Sequence, residues 1–146
     1  MPEYNLEPVT VPPVSTRYRT IATALPVPES LPIIAMLKQS EPCSMLGQPP
    51  VIWHKADDCT VSDRWGNRWL DWSSCVLVAN IGHGHPRVKE ALHRQIDQGL
   101  LASYVFMHEQ RALLADRLRR LAPVPDRYRV FLLSTGSEAV ENCIKL

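Results

Sequence analysis

The sequence predicts an α/β fold in which a small antiparallel β-meander leads into a strand–helix unit of a larger domain. Short β-type runs separated by turn residues occupy residues 51–72. Two amphipathic helical patterns follow, at residues 86–98 and 109–121. The last seventeen residues then pass from an apolar run through a turn of small residues into a helix. Together these three observations favour a meander followed by the start of a parallel-type sheet.

Ten of the thirteen prolines lie within the first fifty residues. Proline has no backbone N–H, so such a stretch closes few backbone hydrogen bonds of its own. We therefore predict that residues 1–46 form a proline-rich N-terminal arm, mobile up to about Pro28, followed by a short helix over residues 31–40 with proline in its first turn. Packing on a partner subunit and plain disorder remain open alternatives for the arm.

Residues 47–85 are predicted to form the small-domain β-meander and a cleft segment. The runs at 51–56, 60–63 and 68–72 are β-type, with turns at 57–58 and 65–67 between them. Residues 73–81 are mostly apolar and carry the chain past a cleft to a turn at Gly82. Residues 86–146 are predicted to begin a larger domain, with one helix opened by Pro86 and a second stopped by Pro123 and Pro125.

The end of the chain carries the clearest chemical signal. Residues 130–133 are wholly apolar, which is typical of a strand buried on both faces, and a helix begins near Glu138. A strand that enters a helix through a small-residue turn leaves backbone N–H groups unpaired, and the helix dipole favours an anion there. Gly136 permits close approach and Ser137 adds a hydroxyl donor. The pattern predicts a phosphate cradle, with an ordinary capped helix as the alternative.

Composition argues against several other classes. With 16 basic and 15 acidic side chains the net charge is +1, so neither a nucleic-acid nor an anionic-membrane partner is expected. The apolar stretches are too short to span a bilayer and the N-terminus lacks a signal-peptide pattern, so we expect a cytoplasmic protein. The four cysteines are too dispersed for a zinc motif and are interpreted as reduced thiols in small packing sites; His83-Gly84-His85 makes a poor metal site, and no metal is predicted.

Residues 134–145, Ser-Thr-Gly-Ser-Glu-Ala-Val-Glu-Asn-Cys-Ile-Lys, closely resemble the signature N/S-S/T-G-S/A/T-E-A-x-E-x-A-x-K of class III (omega-type) aminotransferases. Upstream, residues 63–72 and 80–88 resemble the family segment D-x-x-G-x-x-Y/W-L/I-D … N-x-G-H-x-H-P-x-I/V. The resemblance runs from about Gly47 to the last residue. It implies the N-terminal part of a fold-type I transferase that uses pyridoxal 5'-phosphate, because members of this family are much longer than this chain.

The resemblance also implies an activity. The full-length protein is expected to transfer an amino group from an amine or omega-amino acid to a 2-oxo acid, and to form a homodimer or higher homo-oligomer. A decarboxylase, racemase or aminomutase of the same family, or a truncated product that only packs on partners, remain the alternatives. The Schiff-base lysine and the ring-nitrogen aspartate are expected beyond Leu146. No catalytic residue is therefore assigned, and the 146-residue chain alone is expected to be inactive.

Five residues receive a role by resemblance. Gly136 and Ser137 match the pair that hydrogen-bonds the cofactor phosphate, with Thr135 as their neighbour. Val76 stands where family members place a side chain that lines the substrate pocket, although core packing is the interpretation that we favour for it. Tyr104 stands where the chain approaches the active site, often that of the other subunit.

Two positions depart from the family pattern. Cys75 replaces a usual glycine, and Cys143 replaces the usual alanine of the last helix. Both side chains are small, but a cysteine at position 75 hinders a backbone turn that glycine would allow.

Overall fold

The structure is a computed structural model that describes residues 4–45, 47–103 and 105–146. The chain divides into two compact units, Met1–Arg94 and Gln95–Leu146. The described part of the first unit contains a β-sheet and most of the buried side chains, whereas that of the second contains helices and extended segments.

A five-stranded antiparallel sheet organises the first unit. Its strands are β1 (Val14–Ser15), β2 (Thr20–Ile21), β3 (Lys55–Asp57), β4 (Thr60–Ser62) and β5 (Arg68–Leu70), in the spatial order β1-β2-β5-β4-β3. Strands β3, β4 and β5 form the predicted meander, in which Val61 pairs with both Ala56 and Trp69. The antiparallel meander is therefore confirmed, although each strand is shorter than its apolar run.

The proline-rich arm is more ordered than its composition suggests. Thr20 pairs with Arg68, so the arm adds β1 and β2 to the sheet beside β5. The fully buried Asn67 side chain completes the junction: its Oδ1 accepts from the N–H groups of Ala22 (2.8 Å) and Thr23 (3.3 Å). The prediction of a mobile arm is wrong for these residues, because a distant side chain and strand supply the partners that the arm itself lacks.

The hydrophobic core of the first unit is small. Its buried apolar side chains among the described residues come from β2, β4, the segment after β2 and helix α1 (Leu31–Ser40), and they are Ile21, Val27, Ile34 and Val61. Helix α1 carries proline in its first turn, as predicted. Ser30, which precedes α1, is also buried and donates its hydroxyl to the Val27 carbonyl at 2.7 Å.

The first unit continues through one helical turn, α2 (Ser74–Leu77), to helix α3 (Pro86–Asp97), whose last residues lie in the second unit. Helix α3 begins at Pro86 as predicted. Its apolar positions Val88, Leu92 and Ile96 are exposed. The helix therefore presents an apolar face that the described residues of this chain do not cover.

The second unit contains α4 (Glu109–Arg120), a 3-10 turn (Pro125–Arg127) and α5 (Gly136–Lys145). The two helices are confirmed, but the predicted strand near residues 129–133 is not formed. Its backbone pairs with no strand among the described residues, and Phe131 remains 66% exposed. A parallel-type strand requires a neighbouring strand to complete its hydrogen bonds, and the described residues offer none at this point.

The cysteines and the helix lengths bear on two further predictions. All four cysteines are free, but Cys43, Cys75 and Cys143 are exposed, so the prediction that they fill packing sites is wrong for these three. Within the described ranges, every helix falls short of the length and apolar character needed to cross a membrane.

Candidate functional site

The turn before α5 is built as a capping box. Thr135 is the N-cap residue, and its Oγ1 accepts a hydrogen bond from the Glu138 N–H at 3.1 Å. Glu138 Oε2 in return accepts from the N–H groups of Ser134 and Thr135, both at 3.1 Å. Side chains thus satisfy three of the backbone donors around the helix start.

Three further donors stay available at the same place. Among the described residues, the N–H groups of Gly136 and Ser137 and the Ser137 hydroxyl have no hydrogen-bond partner. A Cβ added at Gly136 would meet no atom within 4 Å, so the space beside this backbone is open. Open space next to unpaired N–H groups at a helix N-terminus suits a phosphate group, and these residues therefore fit the cofactor that the sequence resemblance implies.

Glu138 limits how strongly this turn binds an anion. Its carboxylate occupies the two donors that precede the helix and brings a negative charge to the dipole's positive end. A helix N-terminus contributes about 0.3–1 kcal/mol per charge at an exposed site, which is at most about a fivefold change in affinity. An anion bound at this turn would therefore depend chiefly on direct hydrogen bonds from Gly136 and Ser137.

The segment that carries Val76 has an unusual backbone. Ser74, Cys75, Val76 and Leu77 have φ values of 48°, 51°, 56° and 67°, so α2 is one left-handed turn built without glycine. The Val76 side chain is 81% exposed and packs into no core among the described residues of its unit.

Asp71 lies at the base of this turn, where its carboxylate accepts four hydrogen bonds. Oδ1 accepts from the Ser73 N–H (3.0 Å) and hydroxyl (2.7 Å). Oδ2 accepts from the Cys75 N–H (2.8 Å) and pairs with His83 Nε2 (2.7 Å). The hydrogen bond from His83, followed by that from the Ser73 hydroxyl, lowers the Asp71 pKa from 3.8 to about 2. An ionised carboxylate only accepts hydrogen bonds, so Nε2 of His83 carries the proton.

His83 is itself fixed to the β3–β4 hairpin. Its backbone N–H and carbonyl exchange hydrogen bonds with Asp58 (2.7 and 2.9 Å), and its ring meets Trp53 edge-on with centroids 6.1 Å apart. Gly82 permits this approach: its φ is 88°, and a Cβ there would lie 2.6 Å from Asp58 Oδ1. The segment 80–85 therefore docks on the hairpin through its backbone.

The structure places the predicted site residues in two separate groups. Thr135, Gly136 and Ser137 form the turn before α5 in the second unit, and Val76 lies in the left-handed turn of the first. Tyr104 lies outside the described residues. Sequence reasoning assigned no role to Asp71 and His83, although both stand in the motif blocks at 63–72 and 80–88 that carry the family resemblance.

Comparison with known proteins identifies the family. The profile described as "Aminotransferase class-III" matches residues 44–146. Ornithine aminotransferase of Brevibacillus brevis is 35% identical over 96 residues, which cover 66% of this chain and 23% of that protein. 4-aminobutyrate aminotransferase of Mycobacterium leprae is 30% identical over 129 residues, covering 88% of this chain and 29% of that protein. Alanine--glyoxylate aminotransferase 2 of Pongo abelii is 34% identical over 94 residues, covering 64% and 18%.

These matches establish the family and show how much of the relatives' length this chain spans. The chain spans less than a third of the length of these relatives, at most 29%. Proteins of this family depend on pyridoxal 5'-phosphate, in agreement with the free donors at Gly136 and Ser137. The family match covers well over half of the sequence, and the chain belongs to the class-III aminotransferase family.

Proposed function

We propose that this chain is the N-terminal part of a pyridoxal-phosphate-dependent aminotransferase that moves an amino group from an amine or omega-amino acid to a 2-oxo acid. Family membership and the available N–H groups of Gly136 and Ser137 support the proposal. When bound, the cofactor supplies an aldehyde that carries the amino group and a ring that accepts electrons. The free donors at the start of α5 are the observation that carries it.

In that reaction, residues of this chain hold the cofactor phosphate and line the substrate pocket. The N–H groups of Gly136 and Ser137, with the Ser137 hydroxyl, donate to the phosphate oxygens and so fix one end of the cofactor. Val76 forms part of the pocket wall and offers only apolar surface to the donor substrate. Tyr104 is proposed to approach the active site, a role that rests on the family resemblance.

We also propose that the full-length protein is a cytoplasmic homodimer or higher homo-oligomer. The exposed apolar face of α3 at Val88, Leu92 and Ile96 supports burial against further protein surface. Sedimentation of the full-length holoenzyme tests the oligomer, and a monomer at micromolar concentration would contradict it.

The phosphate role is tested by Gly136→Val in the full-length protein, with cofactor content read from the absorbance of the bound cofactor. Because a Cβ at Gly136 meets no protein atom within 4 Å, the substitution obstructs the ligand rather than the chain. A hydrogen bond to a charged group is worth about 1.5–3 kcal/mol, so losing one weakens retention by roughly 10- to 100-fold. Ala139→Val adds similar bulk one turn further along α5 and serves as the control.

Two outcomes would contradict the proposal. Unchanged cofactor content in Gly136→Val would remove the assignment of the phosphate turn. Conversion of the donor by decarboxylation or racemisation, with no requirement for a 2-oxo acid, would assign the protein to another activity of the same family.

The pocket role of Val76 has its own test. Val76→Phe should change the ratio of kcat/KM between a short and a long amine donor while cofactor content stays constant. An equal loss for every donor, together with lower thermal stability, would show that Val76 is a packing residue instead.

A further inference from the structure

The left-handed turn at Ser74–Leu77 requires external support. Left-handed backbone costs an L-residue other than glycine about 1–2 kcal/mol, and four such residues occur in succession here. Val76 is β-branched, which makes its φ of 56° more unfavourable than that of its neighbours. Such a conformation persists only where the surrounding structure over-determines it.

The turn's own hydrogen bonds run from its C-terminal residues back to the carbonyls of Ser73 and Ser74. The Leu77 N–H donates to the Ser73 carbonyl at 2.8 Å, and the Val78 N–H donates to the Ser74 carbonyl at 2.9 Å. The Val76 N–H makes only a long contact of 3.5 Å with Ser73 Oγ. At the N-terminal side, Asp71 holds both Ser73 and Cys75 through its carboxylate. Asp71 is thus the residue before the turn that fixes its entry.

His83 connects that carboxylate to the sheet. The Asp71 side chain is only 2% exposed and that of His83 15%, so the bond of 2.7 Å between them is shielded from solvent. The His83 backbone is bonded to Asp58 in the β3–β4 hairpin. Backbone hydrogen bonds therefore join the hairpin to His83, and a side-chain hydrogen bond joins His83 to Asp71. The Asp71 carboxylate in turn bonds the turn residues Ser73 and Cys75.

We propose that Asp71 and His83 are positioning residues for substrate selection, because they hold the turn that presents Val76. The inference rests on the proposed pocket role of Val76. Without the two bonds to Asp71 Oδ2, the turn relaxes toward right-handed or extended backbone, and Val76 leaves its place. Cofactor binding by the turn before α5 does not depend on this linkage.

The first test asks whether the linkage holds the turn, independently of activity. Asp71→Asn preserves the size of the side chain, but its amide nitrogen accepts no hydrogen bond. Depending on which way the amide lies, either the Cys75 N–H and His83 or the Ser73 N–H lose their acceptor. In the full-length holoenzyme, amide hydrogen exchange across residues 73–78 should accelerate at least about tenfold. Asp97→Asn, at an exposed carboxylate with no partner among the described residues, is the matched control. Unchanged exchange at 73–78 would overturn the inference.

The second test separates positioning from plain stability. His83→Phe keeps a ring at this position but removes the donor to Asp71, so it should accelerate the same exchange. The double variant should be no faster than Asp71→Asn alone, since His83 acts on the turn through Asp71. Each variant should shift the kcat/KM ratio between short and long amine donors at least about threefold at unchanged cofactor content. His83→Phe removes only one of the four bonds to Asp71 and keeps the test open if Asp71→Asn does not fold.

The outcomes distinguish the positioning role of Asp71 and His83 from the pocket role of Val76. A shifted donor ratio in Val76→Phe with an unshifted ratio in Asp71→Asn and His83→Phe would overturn the positioning role and leave the pocket role intact. An unshifted ratio in Val76→Phe itself would overturn both. Accelerated exchange together with a shifted donor ratio in the variants of both Asp71 and His83, at constant cofactor content, would establish the positioning role.

Discussion

Replacing Cys75 by glycine should stabilise the protein. Cys75 lies in the middle of the left-handed turn, with φ 51° and ψ 50°. Its thiol is exposed, so the substitution removes no buried contact, and its N–H still donates to Asp71. The family pattern places glycine at this position, so the change restores the residue that this backbone favours.

The magnitude follows from two opposing terms. A residue other than glycine in left-handed backbone costs about 1–2 kcal/mol, which the substitution removes. Glycine increases the conformational entropy of the unfolded chain, which costs about 0.5–1 kcal/mol. The net gain is about 0.5–1 kcal/mol, or a rise of roughly 2–4 °C in the thermal midpoint of a medium-sized domain.

Cys143 offers a control of opposite sign. It is also exposed, but it lies inside the right-handed helix α5, where glycine costs about 0.8–1 kcal/mol relative to alanine. Thermal unfolding followed by circular dichroism should therefore rank Cys75→Gly above Cys75→Ala, and Cys143→Gly below Cys143→Ala. A Cys75→Gly variant no more stable than Cys75→Ala would refute the left-handed geometry, since alanine also removes the thiol but still carries a Cβ.

Three further predictions concern the first unit. Asn67→Ala leaves the Asp63 carboxylate and two backbone N–H groups without their buried partner, and should lower the free energy of unfolding by about 2–4 kcal/mol in urea titrations; a loss under 1 kcal/mol would contradict it. Gly82→Ala places a Cβ 2.6 Å from Asp58 Oδ1 at a φ of 88°, and should accelerate amide exchange at Asp58, which an unchanged rate would refute. The pKa of Asp71 is lower when folded, about 2 against 3.8, so its stabilisation is present above pH 3.8 and lost as the pH falls toward 2; Asp71→Asn should flatten the stability profile in that window, measured by acid titration.

The helices were predictable because local signals bound them. Helix α1 carries proline in its first turn, α3 begins at Pro86, and α4 ends shortly before Pro123. Each has apolar positions at helical spacing, which requires no knowledge of distant partners. The turn before α5 was predictable in kind for the same reason, since Thr135 and Glu138 stand at capping-box spacing.

The elements that escaped prediction depend on partners far away in sequence. Strand β2 exists because Thr20 meets Arg68 and because Asn67 bonds Ala22, contacts that span more than forty residues. The apolar run near Phe131 carries a strand pattern, but a strand forms only where a neighbouring strand accepts its hydrogen bonds. Composition and periodicity report neither kind of contact.

The residues of the upstream motif blocks fix backbone geometry in this structure. Asp63 accepts from the N–H groups of Trp65 and Asn67, both at 2.9 Å, and so shapes the turn between β4 and β5. Asp71 and His83 hold the left-handed turn, and Gly82 allows Asp58 of the β3–β4 hairpin to approach closely. Motif residues with such roles maintain the backbone of these segments, so their identity carries no information about a substrate.

Under the proposed function, substrate selectivity then depends on side chains whose identity the backbone geometry does not determine. Among the described residues of the first unit, Val76 fits that condition: its backbone is held from outside, while its side chain is exposed and makes no structural contact that demands valine. A position of this kind can vary in size or polarity without disturbing the fold. Donor selectivity should therefore respond to Val76 by side-chain identity and to Asp71 by side-chain placement, and two variants of equal thermal stability can differ in selectivity.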